Sequence, residues 1–127
     1  MSNKQEQENK LILIPKAEKY IEYMLQVIFK LPRTEKFSIG TEYKISLYKM
    51  LEEIMYLNKM DKNSSASIIV VLNKIDSLLM VQRIYLRIMY KNKWIDKKKY
   101  LVSMEMIYEI GKILGGLIKF YAKNNKK

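Results

Sequence analysis

Apolar positions recur at intervals of three and four residues along almost the whole chain, the repeat of a single helix face. Pro15 suits the first turn of a helix, and Ala17, Tyr20, Met24, Val27 and Leu31 follow it before Pro32 stops the run. Arg33 to Gly40 reads as a connection, with Thr34 as a candidate N-cap and Phe37 and Ile39 as apolar anchors. A second helix is expected from about Phe37 or Thr41 to Asn58 on the stripe Tyr43, Leu47, Met50, Ile54 and Leu57. Asn58 to Ser65 is polar and reads as a turn, with Ser64 or Ser65 as the next N-cap. The third helix, ending near Lys91, carries Ile68, Leu72, Ile75, Leu79, Gln82, Leu86 and Met89. Ile68 to Leu72 alone is apolar and β-branched enough for a strand, but the stripe that continues past it decides for helix. Asn92 to Trp94 makes a turn, and Asp96 is placed to cap a fourth helix bearing Tyr100, Met104, Ile107, Gly111, Leu114, Ile118 and Tyr121. Long helices joined by short links predict an all-α fold, an antiparallel up-down four-helix bundle. The expected organisation is a disordered N-terminal tail over 1–10, the bundle over 11–123 and a basic C-terminal tail over 124–127.

Composition narrows the function more than the fold. With 127 residues, 49% of them hydrophobic, the chain can bury one core. The apolar runs Leu11 to Ile14 and Ile68 to Leu72 fall far short of the roughly 20 residues of a membrane span. The mixed-charge N-terminus carries no secretory signal, so no membrane association is expected and the cytoplasm is the default location. Histidine and cysteine are absent. That removes the usual general base, imidazole and thiolate metal ligation and disulfides, so no enzymatic activity, metal or cofactor is expected. Glu52 and Glu53 point in different directions on a helix, whereas Glu105 and Glu109 share a face and read as solvated partners of lysines such as Lys112.

The formal charge of +11 favours polyanionic partners. A chain rich in Lys, Asn, Ile and Tyr is also what AT-rich coding produces, so the lysines alone are a weak signal. Arginine, at positions 33, 83 and 87 only, is more informative. Arg83 and Arg87 are one turn apart on one helix face, and Lys91 extends the row. Their planar forks suit phosphate, or equally an intrachain carboxylate such as Glu105 or Glu109. A second row lies at Lys112, Lys119 and Lys123, and no acidic residue follows Glu109. A third cluster, Lys91, Lys93, Lys97, Lys98 and Lys99, surrounds the last turn, where lysines are ordinarily just solvated. Most tyrosines fall on or beside the core stripes. Trp94, Tyr85 and Tyr90, near the basic turn, suit either base stacking or a subunit interface. Gly111, Gly115 and Gly116 each cost about 1 kcal/mol inside a helix. The apolar period continuing past them favours close helix approach across a Gly111–Gly115 face over a helix end.

Two segments resemble a known family. Leu31-Pro32-Arg33-Thr34-Glu35-Lys36-Phe37-Ser38-Ile39-Gly40 is similar to the Pro-basic … Phe-x-Leu-Gly segment between the first two helices of Avd-like four-helix bundle proteins. Tyr108-Glu109-Ile110-Gly111-Lys112-Ile113-Leu114-Gly115-Gly116-Leu117-Ile118 resembles their C-terminal Glu-Ile-Gly-Arg-hydrophobic-Leu-Gly-Gly-Trp-Ile signature. Arg87, within Tyr85-Leu86-Arg87-Ile88, matches a basic position of the third helix. This chain departs in having Leu117 where tryptophan is typical and Lys112 where arginine is. Avd is the accessory variability determinant of diversity-generating retroelements. The resemblance implies a homopentameric barrel of bundles that binds the element's reverse transcriptase and structured template RNA, with DNA as a further ligand, in support of mutagenic reverse transcription. It also points to Arg83, Arg87 and Lys112 as nucleic-acid-binding positions. The same bundle family includes proteins encoded in intervening sequences of 23S ribosomal RNA genes. A protein-only interaction scaffold is the remaining reading.

Overall fold

The computed structural model describes residues 3–125. Four long helices, α1 (Asn3–Phe29), α3 (Ile39–Lys59), α4 (Ser65–Lys91) and α5 (Lys97–Asn125), run up and down, and the single turn α2 (Arg33–Lys36) lies in the first connector. The third and fourth helices expected from sequence are thus α4 and α5. Each long helix packs on two others: α1 and α4 each contact both α3 and α5. The resulting four-cornered bundle encloses one core, and no strand occurs among the described residues.

The stripes read from the sequence of α1, α3 and α4 are the buried faces. Tyr20, Met24, Tyr43, Leu47, Met50, Ile68, Leu72, Ile75 and Leu86 lose essentially all solvent contact. In α5 the buried face is rotated from the expected one. Its centre runs through Ser103, Ile107, Ile110, Leu114, Leu117 and Tyr121, while Tyr100, Met104, Gly111 and Ile118 lie on its flank. Ser103 can occupy a core position because its hydroxyl donates to the Lys99 carbonyl one turn back, at 2.6 Å.

A directed chain of hydrogen bonds crosses the core. The Tyr43 hydroxyl donates to that of Tyr20 at 2.7 Å, which donates to Gln82 Oε1 at 2.7 Å. Gln82 Nε2 donates to Ser46 Oγ at 3.0 Å, and Ser46 reaches the Leu78 carbonyl at 3.4 Å. A buried amide therefore sits in the apolar stripe of α4 with both of its ends satisfied. Burial, and then the charge and hydrogen bond shared with Tyr43, push the Tyr20 hydroxyl well above the ordinary tyrosine range. Burial likewise raises Tyr43.

The N-terminus corrects the expected tail. Residues 3–10 are helical, so α1 begins two turns and more before Leu11, and Pro15 lies inside the helix instead of in its first turn. The stripe does continue upstream, through Leu13, Asn9 and Glu6, but two of those three buried positions are polar. Glu6 is accommodated because Oε2 accepts from the Tyr121 hydroxyl at 2.6 Å and pairs with Lys10 at 3.2 Å. Pro15 has no N–H to offer the Leu11 carbonyl, and Leu11 is 75% exposed, so water can take that acceptor. At the other terminus Asn124 and Asn125 continue α5 and form no separate tail, and Lys126 and Lys127 lie outside the described residues.

The connectors bring further corrections. Pro32 precedes α2, and Thr34 caps nothing with its side chain; its carbonyl accepts from Ser38 Oγ at 2.9 Å. Phe37 is no anchor, being 68% exposed, whereas Ile39 packs on the core. Gly40 is the tight point of this connector. A Cβ there would stand 3.0 Å from Ile28 Cγ2 and 3.3 Å from the Glu35 carbonyl oxygen, so glycine lets α3 start against the end of α1. Ser64 occupies the N-cap position of α4 without a side-chain capping bond. Asp96 caps α5 as expected, with Oδ1 accepting from the Lys99 N–H at 2.8 Å.

Candidate nucleic-acid interface

The basic row of α4 starts from the core. Leu79, Arg83, Arg87 and Lys91 succeed one another at four-residue steps, and each step turns about 40° around the helix. Leu79 is buried and faces α5, its Cδ2 lying 3.8 Å from where a Cβ on Gly111 would be. Arg83 is half-buried, and Arg87 and Lys91 are exposed. The row therefore emerges from the α4–α5 seam and turns out to solvent along the α5 side of α4.

Neither carboxylate that sequence offered these arginines pairs with them. Glu109 pairs across to α1, with Lys16 Nζ donating to Oε2 at 2.7 Å. That hydrogen bond and charge, aided by Lys19, hold its carboxyl below the usual range. Lys112 is not its partner. Glu105 is exposed. Among the described residues the ion pairs are Lys10–Glu6 and Lys16–Glu109, and neither involves Arg83 or Arg87. Arg83 Nε is buried and makes no hydrogen bond. An N–H on a cation left this way keeps its full desolvation cost.

Lys112, Lys119 and Lys123 are all exposed on the outward side of α5. Gly111 lies opposite Leu79, and the two helices are antiparallel. Lys119 and Lys123 consequently run toward the start of α4 while Arg87 and Lys91 run toward its end. The six candidates do not converge on one pocket; they form a broken line roughly 35 Å long down the α4–α5 side, at 1.5 Å of rise per residue. A line of that kind suits the backbone of an extended polyanion better than a small anion.

The glycines of α5 are neither a close packing face within the chain nor a helix end. Gly111 has only ordinary room beside Leu79, a Cβ on Gly115 would meet nothing within 4 Å, and α5 continues to Asn125. Trp94, Tyr85 and Tyr90 are part-buried against the core, and Tyr90 stacks on Tyr100 with ring centroids 4.3 Å apart, so intrachain packing accounts for that pair.

Two surface features were not anticipated from sequence. The outward side of α4 is apolar, with Val70, Met80, Val81, Ile84 and Ile88 exposed. This makes α4, with a mean hydropathy of 1.4 in its most apolar window and a third of that window buried, the one described helix long and apolar enough to cross a membrane. A groove of about 610 Å3 runs along its α3 side between Lys49, Glu53, Val70, Lys74, Ser77 and Val81. The inner stripe of α4 had signalled the core, and the second stripe, offset around the same helix, is visible only once the first is seated.

Comparison with known proteins agrees with this architecture. A crystal structure of a Bacteroides thetaiotaomicron protein of unknown function from the S23 ribosomal protein family superposes with a TM-score of 0.79. The two share 17% identity, and the match covers 93% of this chain and 98% of that one. No curated protein matches the sequence. The family model described as bAvd-like matches residues 11–121, and Leu117, standing where the signature has tryptophan, is fully buried in the core. The chain thus belongs to the bAvd-like family.

Proposed function

We propose that this protein is a non-catalytic accessory subunit of a diversity-generating retroelement, holding a reverse transcriptase and its structured template RNA or cDNA together in the cytoplasm. The observation that carries the nucleic-acid part is the state of the α4 arginines: among the described residues neither Arg83 nor Arg87 is paired with a carboxylate, so their charges are not neutralised there. Phosphate oxygens supply what that row lacks, and Lys91, Lys112, Lys119 and Lys123 extend the same potential along the α4–α5 side. Contacts of this kind position a backbone and read little sequence. Bond-making belongs to the polymerase partner.

The apolar outer side of α4 supports self-association. The exposed Met80, Val81, Ile84 and Ile88, gathered on the second half of α4, are the kind of surface that homo-oligomers cover. Five copies closing in a ring is the arrangement the family resemblance implies. A stand-alone bundle of the 23S intervening-sequence type is the second reading, favoured by the fold shared with an S23-family protein.

Charge reversal tests the proposal. Arg83→Glu with Arg87→Glu weakens binding to a structured RNA hairpin at least tenfold in a gel-shift assay at low salt while circular dichroism keeps its helical signal. Wild-type binding by that double variant would remove the α4 row from the function.

A further inference from the structure

The up-down course carries two connectors to the same end of the bundle. One, between α1 and α3, holds Lys30, Arg33 and Lys36; the other, between α4 and α5, ends in Lys97, Lys98 and Lys99, with Lys91 and Lys93 just before. Only Glu35 and Asp96 oppose them in these segments, and Asp96 is occupied in capping α5. The proximity of the two connectors is visible at Tyr23 of α1, whose hydroxyl is raised by burial and then by the charge of Asp96.

Local preferences are broken here twice. Three lysines stand in the first turn of α5, where the helix already presents partial positive charge and only Asp96 at the cap offsets it. Lys93 adopts a left-handed backbone, with φ of 63°, in a turn that glycine would make without strain. Sequences depart from local rules in this way where a surface serves a ligand.

The same end carries exposed aromatics. The chain has three phenylalanines, and Phe29 and Phe37 are each 68% exposed. Each ring has its own cation: Lys36 Nζ lies 4.3 Å from the Phe29 centroid, and Arg33 Cζ 6.0 Å from that of Phe37. A flat ring with a cation over one face and its other side open matches a nucleotide that shows one base face and one phosphate. Duplexes hide their base faces, so the match is to a single strand.

We infer that this end of the bundle is a second nucleic-acid site, one for single strands, in which Phe29 and Phe37 stack on bases while the lysines and Arg33 of the two connectors hold the phosphates. The site adjoins the α4–α5 row, which ends at Lys91, but adds the aromatic rings and the first connector, and it rests on the nucleic-acid reading given above. It suits a template or product strand as it leaves a paired region.

Fluorescence anisotropy with labelled oligothymidylate, and with an RNA duplex of equal phosphate count, tests it on the full chain. Phe29→Ala with Phe37→Ala weakens oligothymidylate binding by about tenfold or more and leaves duplex binding unchanged, because only stacking is removed. Phe29→Trp with Phe37→Trp restores it. Lys97→Glu with Lys98→Glu also weakens it. Both rings are exposed, so circular dichroism of every variant matches the parent. Unchanged oligothymidylate affinity in the double alanine variant overturns the site and leaves the rings as a protein-docking pair. An equal loss for both probes also overturns it. In either case duplex binding that still depends on Arg83 and Arg87 leaves the proposed function standing, whereas a parent protein that binds neither probe removes both.

Discussion

Gln82 is the residue on which the core's polarity turns. It is buried, its oxygen accepts from Tyr20, and its amide donates to Ser46. Gln82→Ala leaves two buried groups without partners and opens a cavity, so a loss of about 2–4 kcal/mol is expected in urea unfolding. The tyrosines add a pH signature. Tyr20 and Tyr43 are raised above the ordinary value of 10.0 in the folded chain. Above about pH 10 the unfolded chain releases those protons first and binds fewer than the native state, so stability falls as pH rises, by up to ~1.4 kcal/mol per pH unit for each tyrosine. Below pH 10 the contribution is fully present. Tyr20→Phe with Tyr43→Phe flattens that alkaline limb in a pH series of unfolding midpoints; an unchanged limb would assign it to other groups. Gly115 offers the opposite test, since a methyl there enters open space. Gly115→Ala stabilises the isolated chain by about 1 kcal/mol through helix propensity.

At the scale of the element, legibility followed the chemistry of the buried face. In α1, α3 and α4 the face is apolar, and its period gave the helices and most of their boundaries. The first turns of α1 were hidden because the core side there is Glu6 and Asn9, which a hydrophobic pattern does not count. What makes Glu6 a core residue is Tyr121, 115 positions away in sequence. Glu6→Ala is therefore expected to cost about 1–3 kcal/mol by stranding the Tyr121 hydroxyl, and to speed amide exchange over residues 3–10. Normal protection of those amides would show that the turn is held by something else. In α5 the expected face was displaced toward Gly111 and Ile118 because Ser103, its hydroxyl bonded back to Lys99, took a place that polarity argued against. The arginine row was legible from its spacing. That Glu109 is not its partner was not, since that depends on Lys16 of another helix engaging Glu109.

Taken whole, the molecule has three surfaces of different character: an apolar side on α4, a cationic line along α4 and α5, and a basic aromatic end. The apolar side accounts for assembly in the proposed function. Val81→Asp with Ile84→Asp places charge in its middle and is expected to shift the native mass to that of a single chain while helicity persists. An unshifted mass would move the contact to another face. The central claim is that side chains on a rigid helical frame hold phosphates, and it is tested most directly by the salt dependence of binding to a structured RNA. If about six phosphates are neutralised, log K falls linearly with log salt with a slope of about −4 to −5, and reversing Arg83 and Arg87 makes that slope shallower by about two. Absence of binding in dilute buffer, or binding indifferent to salt, would contradict the account.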